Sequence, residues 1–565
     1  GDLNDFLSPA SECVLPLQAM FSKEKPPPGS VAAPIRPQEK PRKKKIRKVR
    51  KVETNSSAAT VSAQNPTSLP ENQPRLREKS KSSDDMQGDA KKRSQVVASV
   101  TLSDCLSCSG CVTSAEEVMM KRQGMEHLTA AVEVGSTCVV SFSPQSLSSL
   151  AAVFSTTASA FARSVSSFLK LRVGVKFVFD TSLSVQIAQH EARCEFMERW
   201  ERKGNFPILC TECPGFVIFT EKKEYDLLSP FLSTVRSPQA ISGKLIKQVL
   251  SSKIRDGNEK QVWHCAIMPC FDKKLESSRN EFSFVDKRAE SAGSVPETDA
   301  VITTSELHSF LSKEGFRVQD WIDGPGMDSL RDLLTTSLCS AKNEKAKEVG
   351  GVRYDQTEKL EGEHSSENLR QLGGNLMLPS LFERHLPQHS AGYSNGYLEV
   401  VARHAAKQIL NVDLPPSLVY SFPARDSQDL KELKVRDEKG RELNFAAVYG
   451  YRHLQTLMLK IRKGQCDYHY VEVMSCPEGC NNGGGQLNTK SKDEVNQRYV
   501  EYVSGFSSKP LPQEVLNELE HQREGDAMEV GEAPGESRGG TGSEWNFRTG
   551  FTKREESITA VLENW

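Results

Sequence analysis

Residues 471–486, VEVMSCPEGCNNGGGQ, decide how the rest of the chain is read. Two thiols stand four residues apart, Cys476 and Cys480, behind an apolar run and ahead of three glycines, Gly483 to Gly485. A strand over 469–474 would deliver the first thiol at its end, and glycines without a Cβ let the backbone come close to something bulky. The pattern suits a metal–sulfur cofactor. Two thiolates alone bind little, and the chain supplies more at Cys213 in CTECPGF and Cys270 in MPCFDKKLE. All three cysteine motifs follow apolar, strand-like runs: PILC, VWHCAIMPC and YHYVEVMSC.

A chain of 565 residues can hold two or three domains and a large core. Its hydrophobic content of 37% is below the globular average, which implies that part of it is unfolded. Basic and acidic residues balance at 73 against 74, so charge gives no global argument for nucleic acid or membrane. The 14 cysteines cluster in close spacings, and GDLNDFLSPA is acidic with no apolar leader core. Metal or redox use in a reducing compartment is therefore favoured over a disulfide scaffold. No apolar run reaches about eighteen residues, so no membrane span is expected. Asp5 stands where a myristoylation motif has Ser or Thr, which disfavours a lipid anchor.

Along the chain, residues 1–21 carry a lone thiol, Cys13. Residues 22–97 are rich in Pro, Ser, Lys, Gln and Asn and too poor in apolar groups to offset ordering entropy, so a disordered insert is expected. It contains nine basic residues in the twelve from Lys40 to Lys51, a nuclear-localisation or nucleic-acid pattern that solvation alone also explains; interleaved aromatics for base stacking are missing. Residues 98–127 include LSDCLSCSGCV, with Cys105, Cys108 and Cys111 at two-residue intervals. Three thiolates in one tight loop favour an iron–sulfur cube over zinc, which prefers two separated pairs.

From 128 to 505 the pattern becomes α/β. Strands are expected over 131–140, 173–179 and 207–210, with a helix over 182–201. Ser237 opens a helix, 299–305 gives a strand and cap before another, and 340–390 is expected to be an inserted surface loop. Alternating elements imply a mainly parallel sheet with ligands gathered at its carboxyl edge. His264 and His469 read as hydrogen-bonded core rather than ligands, and Cys210 and Cys265 as core or supporting residues. Residues past about 505 are Gly-, Glu- and Ser-rich up to Trp545. No G-x-x-x-x-G-K-S/T occurs, which argues against a scaffold ATPase.

The stretch E-x-M-x-C-x-x-G-C-x-x-G-G-G, through Glu472, Met474, Cys476, Gly479, Cys480 and Gly483 to Gly485, resembles the third signature of iron-only hydrogenases. Met268, Pro269, Cys270, Lys273 and Glu276 complete the second. The first is altered: Cys210, Thr211, Glu212, Cys213, Pro214, Gly215 and Phe216 stand where hydrogenases have T-S-C-C-P-x-W, so Glu212 replaces the proton-relay cysteine. This combination is similar to the Nar-type, nuclear prelamin A recognition factor-like branch of cytosolic iron–sulfur protein assembly. The resemblance implies an α/β, iron-only hydrogenase-like large-subunit fold with an N-terminal ferredoxin-like cluster loop and a disordered insert. It implies two 4Fe-4S clusters, one on Cys13, Cys105, Cys108 and Cys111 and one on Cys213, Cys270, Cys476 and Cys480. Glu212, Lys273, Gly483 and Gly484 would surround the second, although Lys273 and Glu276 also fit an ordinary surface ion pair at helical spacing.

Four ligands on each cube leave no iron open, and catalysis at a metal ordinarily needs an open position. The expected function is therefore non-catalytic, and the resemblance implies passing 4Fe-4S clusters from an early scaffold NTPase complex to the cytosolic targeting complex, with its WD40-repeat subunit, and on to apo-proteins. The expected location is cytoplasmic, with a nuclear share compatible with the basic run; neither membrane nor nucleic acid is an expected partner. The alternatives are an active iron-only hydrogenase, for which Lys273 speaks, and a nuclear interaction protein acting through the basic arm. The 506–565 tail contains a segment, 545–565, similar to the small region that wraps hydrogenases. Trp565, behind Asn564 and Glu563, resembles the terminal tryptophan by which proteins of this pathway dock on a targeting complex.

Overall fold

The computed structural model describes residues 114–254, 261–285, 294–349, 394–423, 429–489, 491–507, 509–529 and 545–554. Cys13, Cys105, Cys108, Cys111, the 22–97 segment with its basic run, most of 340–390 and Trp565 lie outside them.

The strands, in chain order, are β1 (Thr137–Phe142), β2 (Phe177–Asp180), β3 (Ile208–Cys210), β4 (Val262–Met268), β5 (Ser283–Val285), β6 (Ser294–Pro296), β7 (Ala300–Thr303), β8 (Leu430–Arg436), β9 (Glu442–Tyr449) and β10 (Tyr470–Met474). They build two main sheets where the sequence suggested one. The first, in the order β2-β1-β4-β7, is parallel throughout. The second runs β3-β10-β9-β8, parallel except for the antiparallel β8 edge. β5 and β6 form a separate antiparallel pair.

The residues of β1 show why these strands are nearly all apolar. Cys138, Val140 and Phe142 enter one core cluster and Val139 the other, so both faces are covered. Ser141 lies between them in sequence and meets His264 Nε2 at 2.8 Å.

Helices pack over the sheets, and six matter below: α1 (Pro144–Val153), α2 (Ser182–Glu201), α3 (Pro214–Lys223), α4 (Asp272–Ser277), α5 (Tyr397–Ala405) and α6 (Lys492–Ser507). Ser143 caps α1 by accepting from Ser146 N at 3.1 Å, next to a proline that needs no donor partner. The helix after β7, Thr304–Lys313, opens with a reciprocal capping box between Thr303 and Glu306.

Several expected boundaries shift. Ala131 belongs to a helix, Met125–Glu133, whose buried Met125, Leu128 and Ala131 follow helical spacing; β1 starts only after Gly135 turns the chain at φ +76°. Val173 ends a π-helical turn, Leu169–Val173, that closes at Gly174 with φ +94°, so β2 is shorter than expected. Residues 340–349 continue a helix, Leu330–Val349, instead of opening a loop. A further helix, Gln513–Glu529, buries Val515 and Leu519 one turn apart against the core. Averaging composition over the glycine-rich stretch beyond it hid that helix.

The 545–554 segment lies along residues 221–236. Arg236 N donates to Phe547 O at 3.0 Å and Thr549 N to Thr234 O at 2.8 Å. Phe547 is buried, and Arg554 pairs with Glu221 at 2.9 Å.

Candidate metal centre

Three chain segments reach one cavity because three parallel strands end beside it. β3 and β10 are neighbours in the second sheet, with Glu472 level with Cys210. Beyond their carboxyl ends come Cys213, then Cys476 and Cys480. β4, between β1 and β7 in the first sheet, ends at Met268, two residues before Cys270. Cys213, Cys270, Cys476 and Cys480 line a single cavity with Met268 and Met474. The ten described cysteines are thiols rather than disulfides.

Cys213 is the N-cap of α3, followed by Pro214, so its sulfur sits at a helix N-terminus, where partial positive charge favours a thiolate. Its backbone N donates to Thr211 Oγ1 at 3.0 Å, while Thr211 Oγ1 donates to Val473 O at 2.7 Å, tying the Cys213 loop to β10. Cys480 opens a short 3-10 turn, with its N donating to Ser394 Oγ at 2.9 Å. Burial pushes the Cys213 thiol up, with Asp272 adding to it, and burial with Glu212 pushes Cys480 further up. Bonding to iron is what would favour the thiolates in so dry a place.

The glycines act by closeness. A Cβ at Gly483 would meet Pro269 O at 2.5 Å, and one at Gly485 would meet Cys270 Cα at 3.1 Å. Gly485 N also donates to Pro269 O at 2.9 Å. The glycine run thus lies directly on the Cys270 loop. Gly483 lines the thiol cavity; Gly484 instead faces a neighbouring cavity, so the two glycines named together in the sequence differ in place.

Glu212 reaches the same cavity. Its two oxygens accept from Asn395 Nδ2 at 3.0 and 2.8 Å, and Oε1 lies 3.5 Å from Cys480 Sγ. Burial raises its carboxyl, against the opposing pull of Lys273 and Asn395. The Lys273–Glu276 pair is not a surface pair: both side chains are buried, with Nζ 2.8 Å from Oε2. Burial alone would lower the Lys273 ammonium, but the Glu276 and Glu212 carboxylates override it and raise it. That ion pair lacks hydrogen-bond geometry, so Lys273 Nζ and Glu276 Oε2 are buried without a hydrogen-bond partner among the described residues.

The core positions expected of three further residues are found, while His469 is only half-buried. Cys210 and Cys265 are buried in the core. His264 is fully buried between Ser141, the Glu297 carbonyl at 3.2 Å and Thr298, and His469 Nδ1 accepts from Asn444 N at 3.0 Å. Asn395 was missed in the sequence. It sits at φ +63° in the Ser-Asn-Gly turn before α5, holding Glu212 while its own N donates to Tyr499 OH at 3.1 Å. An Asn-Gly pair marks such a turn but not what the amide will hold. Gln239, in the Ser-Pro-Gln step that opens a helix, and Asp272, at an unspecified position of the second motif, also line the cavity.

The four thiols fit a polynuclear cluster. A cube takes each ligand at a different corner, which four thiols around one cavity can supply. Donors of one soft type and a backbone cradle free of Cβ atoms complete the fit.

Residues 136–484 match the family described as iron only hydrogenase large subunit, C-terminal domain. The chain is 31% identical to the cytosolic Fe-S cluster assembly factor narfl of Xenopus tropicalis over 92% of its own length and 90% of that protein's. It is 35% identical to cytosolic iron-sulfur assembly component 3 of Mus musculus over 69% of this chain and 72% of that one. With Protein NAR1 of Arabidopsis thaliana it shares 30% identity over 82% and 88%. A variant of the FeFe-hydrogenase HydA1 of Chlamydomonas reinhardtii has a similar fold, with a TM-score of 0.52 and 21% identity over 76% of this chain and 98% of that one. With two sheets whose strands end beside four thiols, the chain belongs to the iron-only hydrogenase family, in its Nar-type branch.

Proposed function

We propose that this chain is a non-catalytic iron–sulfur protein of cytosolic iron–sulfur assembly. It carries two 4Fe-4S clusters and passes clusters from a scaffold NTPase complex towards the targeting complex and apo-proteins. Cys213, Cys270, Cys476 and Cys480 would hold one cube and Cys13, Cys105, Cys108 and Cys111 the other. The observation that carries this reading is the meeting of four thiols, from two sheets, in one cavity that also holds the Glu212 carboxyl. The names of its relatives, which are those of assembly factors, support it. When bound, each cube supplies reversible one-electron chemistry or is itself the cargo.

The chain's own residues set the surroundings. α3 directs its N-terminus at Cys213, Met268 and Met474 line the cavity beside the sulfurs, and Gly483 lets the third motif close over the Cys270 loop. Glu212 is held by Asn395, away from the role of a mobile thiol.

The buried Lys273 ammonium favours the second reading, an active hydrogenase with an anionic diiron ligand beside it. One preparation separates the two. Anaerobically purified protein should contain about eight irons and as many acid-labile sulfides, the sum of two cubes. Mössbauer spectra should contain cubes alone. Infrared bands of iron-bound carbon monoxide or cyanide would establish the hydrogenase and reject the first reading. Loss of about half the iron on replacing Cys213 and Cys480 by alanine is expected, and zinc in place of iron would reject both.

A further inference from the structure

Ser475 stands between Met474, the last residue of β10, and Cys476, at an unspecified position of the third signature. It is 3% exposed. β10 and β3 run parallel with Glu472 level with Cys210, and carrying that register three residues further sets Ser475 level with Cys213. The Thr211 hydroxyl, bonded to both Val473 O and Cys213 N, holds the two chains together over this extension. Ser475 meets the Cys213 sulfur twice, through its hydroxyl and through its backbone, and the Phe216 backbone in the first turn of α3 adds a third hydrogen bond.

The other sulfur whose neighbours are resolved in detail is placed differently. Cys480 Sγ has Glu212 Oε1 at 3.5 Å and Met474 Sδ at 3.9 Å. The Ser394 hydroxyl also serves it, but Ser394 Oγ accepts from Cys480 N at 2.9 Å as well, so that serine holds the backbone turn in place.

We propose that Ser475 sets the reduction potential of the cube held by Cys213, by donating its hydroxyl hydrogen to that sulfur. The inference rests on the proposed function, since it needs a cube on these four thiols. Added electron density makes the sulfurs more negative, and a donor already aimed at one of them stabilises the reduced state more than the oxidised one. Away from water the difference is larger than it would be at the surface. The electron comes from an external one-electron reductant, dithionite in the test; no bond forms or breaks, and the proton stays on Ser475 Oγ. Because it acts through Cys213, Ser475 is a positioning residue.

The test uses the full chain, purified anaerobically with its clusters. A dithionite titration followed by electron paramagnetic resonance should resolve one step for each cube, the N-terminal cube serving as internal reference. In Ser475→Ala one step should become about tenfold less favourable, a fall of about 59 mV for one electron, while the other stays. Iron content should remain at the wild-type level, and Ser475→Thr, which keeps the hydroxyl, should restore the wild-type potential. Neither step moving, both moving equally, or threonine behaving as alanine does overturns the role. Should Ser475→Ala lose its cubes, the wild-type protein decides. After transfer to heavy water, electron–nuclear double resonance should detect a deuteron coupled to the reduced cube within minutes, the rate of a hydroxyl. Entry only over hours, as for buried amides, overturns the role. Iron content unchanged in Cys213→Ala/Cys480→Ala sinks the proposed function and this inference with it, whereas an unshifted potential in an intact two-cube protein sinks the inference alone.

Discussion

Glu212 Oε1 lies 3.5 Å from Cys480 Sγ, while the same carboxyl takes both of its short hydrogen bonds from Asn395 Nδ2. A group held in this way is a fixture of the cavity wall. Replacing Glu212 by alanine leaves the Asn395 amide buried without its acceptor, a cost of about 1–3 kcal/mol. The thiol ligands are untouched, so iron content should stay at the wild-type level while the melting temperature falls. Loss of half the iron in Glu212→Ala would instead make the carboxyl a ligand.

Gly483 and Gly505 should respond in opposite directions to alanine. At 483 the new Cβ would fall 2.5 Å from Pro269 O, a backbone atom of the Cys270 loop that cannot simply rotate away. Overpacking of this kind costs about 1–3 kcal/mol and moves Cys270, so stability and iron content should fall together. Gly505 is an exposed position of α6 with open space where its Cβ would go. There alanine should stabilise by about 0.5–1 kcal/mol through helix propensity, with iron unchanged. Equal behaviour of the two variants in denaturant titrations would refute the close-approach role of Gly483.

How far the sequence could be read follows from what each motif encodes. The thiols and the glycine run were legible because a bulky cofactor needs one donor type, local spacing and missing Cβ atoms, all of which are written locally. The strand ends at Cys210, Met268 and Met474 followed from apolar runs too short for helices. That β4 belongs to one sheet and β3 with β10 to another was not legible, because neighbour choice among buried parallel strands depends on contacts distant in sequence. The burial of Lys273 and Glu276 was hidden for a related reason: helical spacing gives the pair, but only the packed surroundings decide whether it faces water. Asn395 is the clearest case, since its partner Glu212 is 183 residues away.

His264 should make the fold sensitive to acid. Burial pushes its imidazole down to about 3, from an ordinary value near 6.5. Between those values the unfolded chain binds a proton that the folded chain does not, so stability rises with pH and is lost as pH falls from about 6.5 towards 3. The full loss is of the order of a few kcal/mol, at 1.36 kcal/mol per unit. His264→Gln removes the titrating group, so the wild-type advantage at neutral pH should shrink as the medium is acidified. Parallel stability–pH curves for the two proteins would rule out His264 as a contributor. Taking the difference between them cancels the acid lability of the clusters, which both proteins share.

The Lys273–Glu276 pair yields a sharper expectation, because its two members are not equivalent to remove. Lys273→Met takes away the ammonium 2.8 Å from Glu276 Oε2 and leaves a buried carboxylate without its charged partner. Breaking a buried pair from one side typically costs roughly 3–5 kcal/mol. Adding Glu276→Gln to that variant removes the uncompensated charge, so the double variant should recover most of the loss even though it contains fewer polar contacts than the wild type. Chemical denaturation of the two single variants and the double variant gives the coupling between them directly. A near-zero coupling would show that the pair is screened as a surface pair is. A large one would show that Lys273 is kept charged by its neighbours, as the cavity geometry requires, whether or not anything anionic lies beside it.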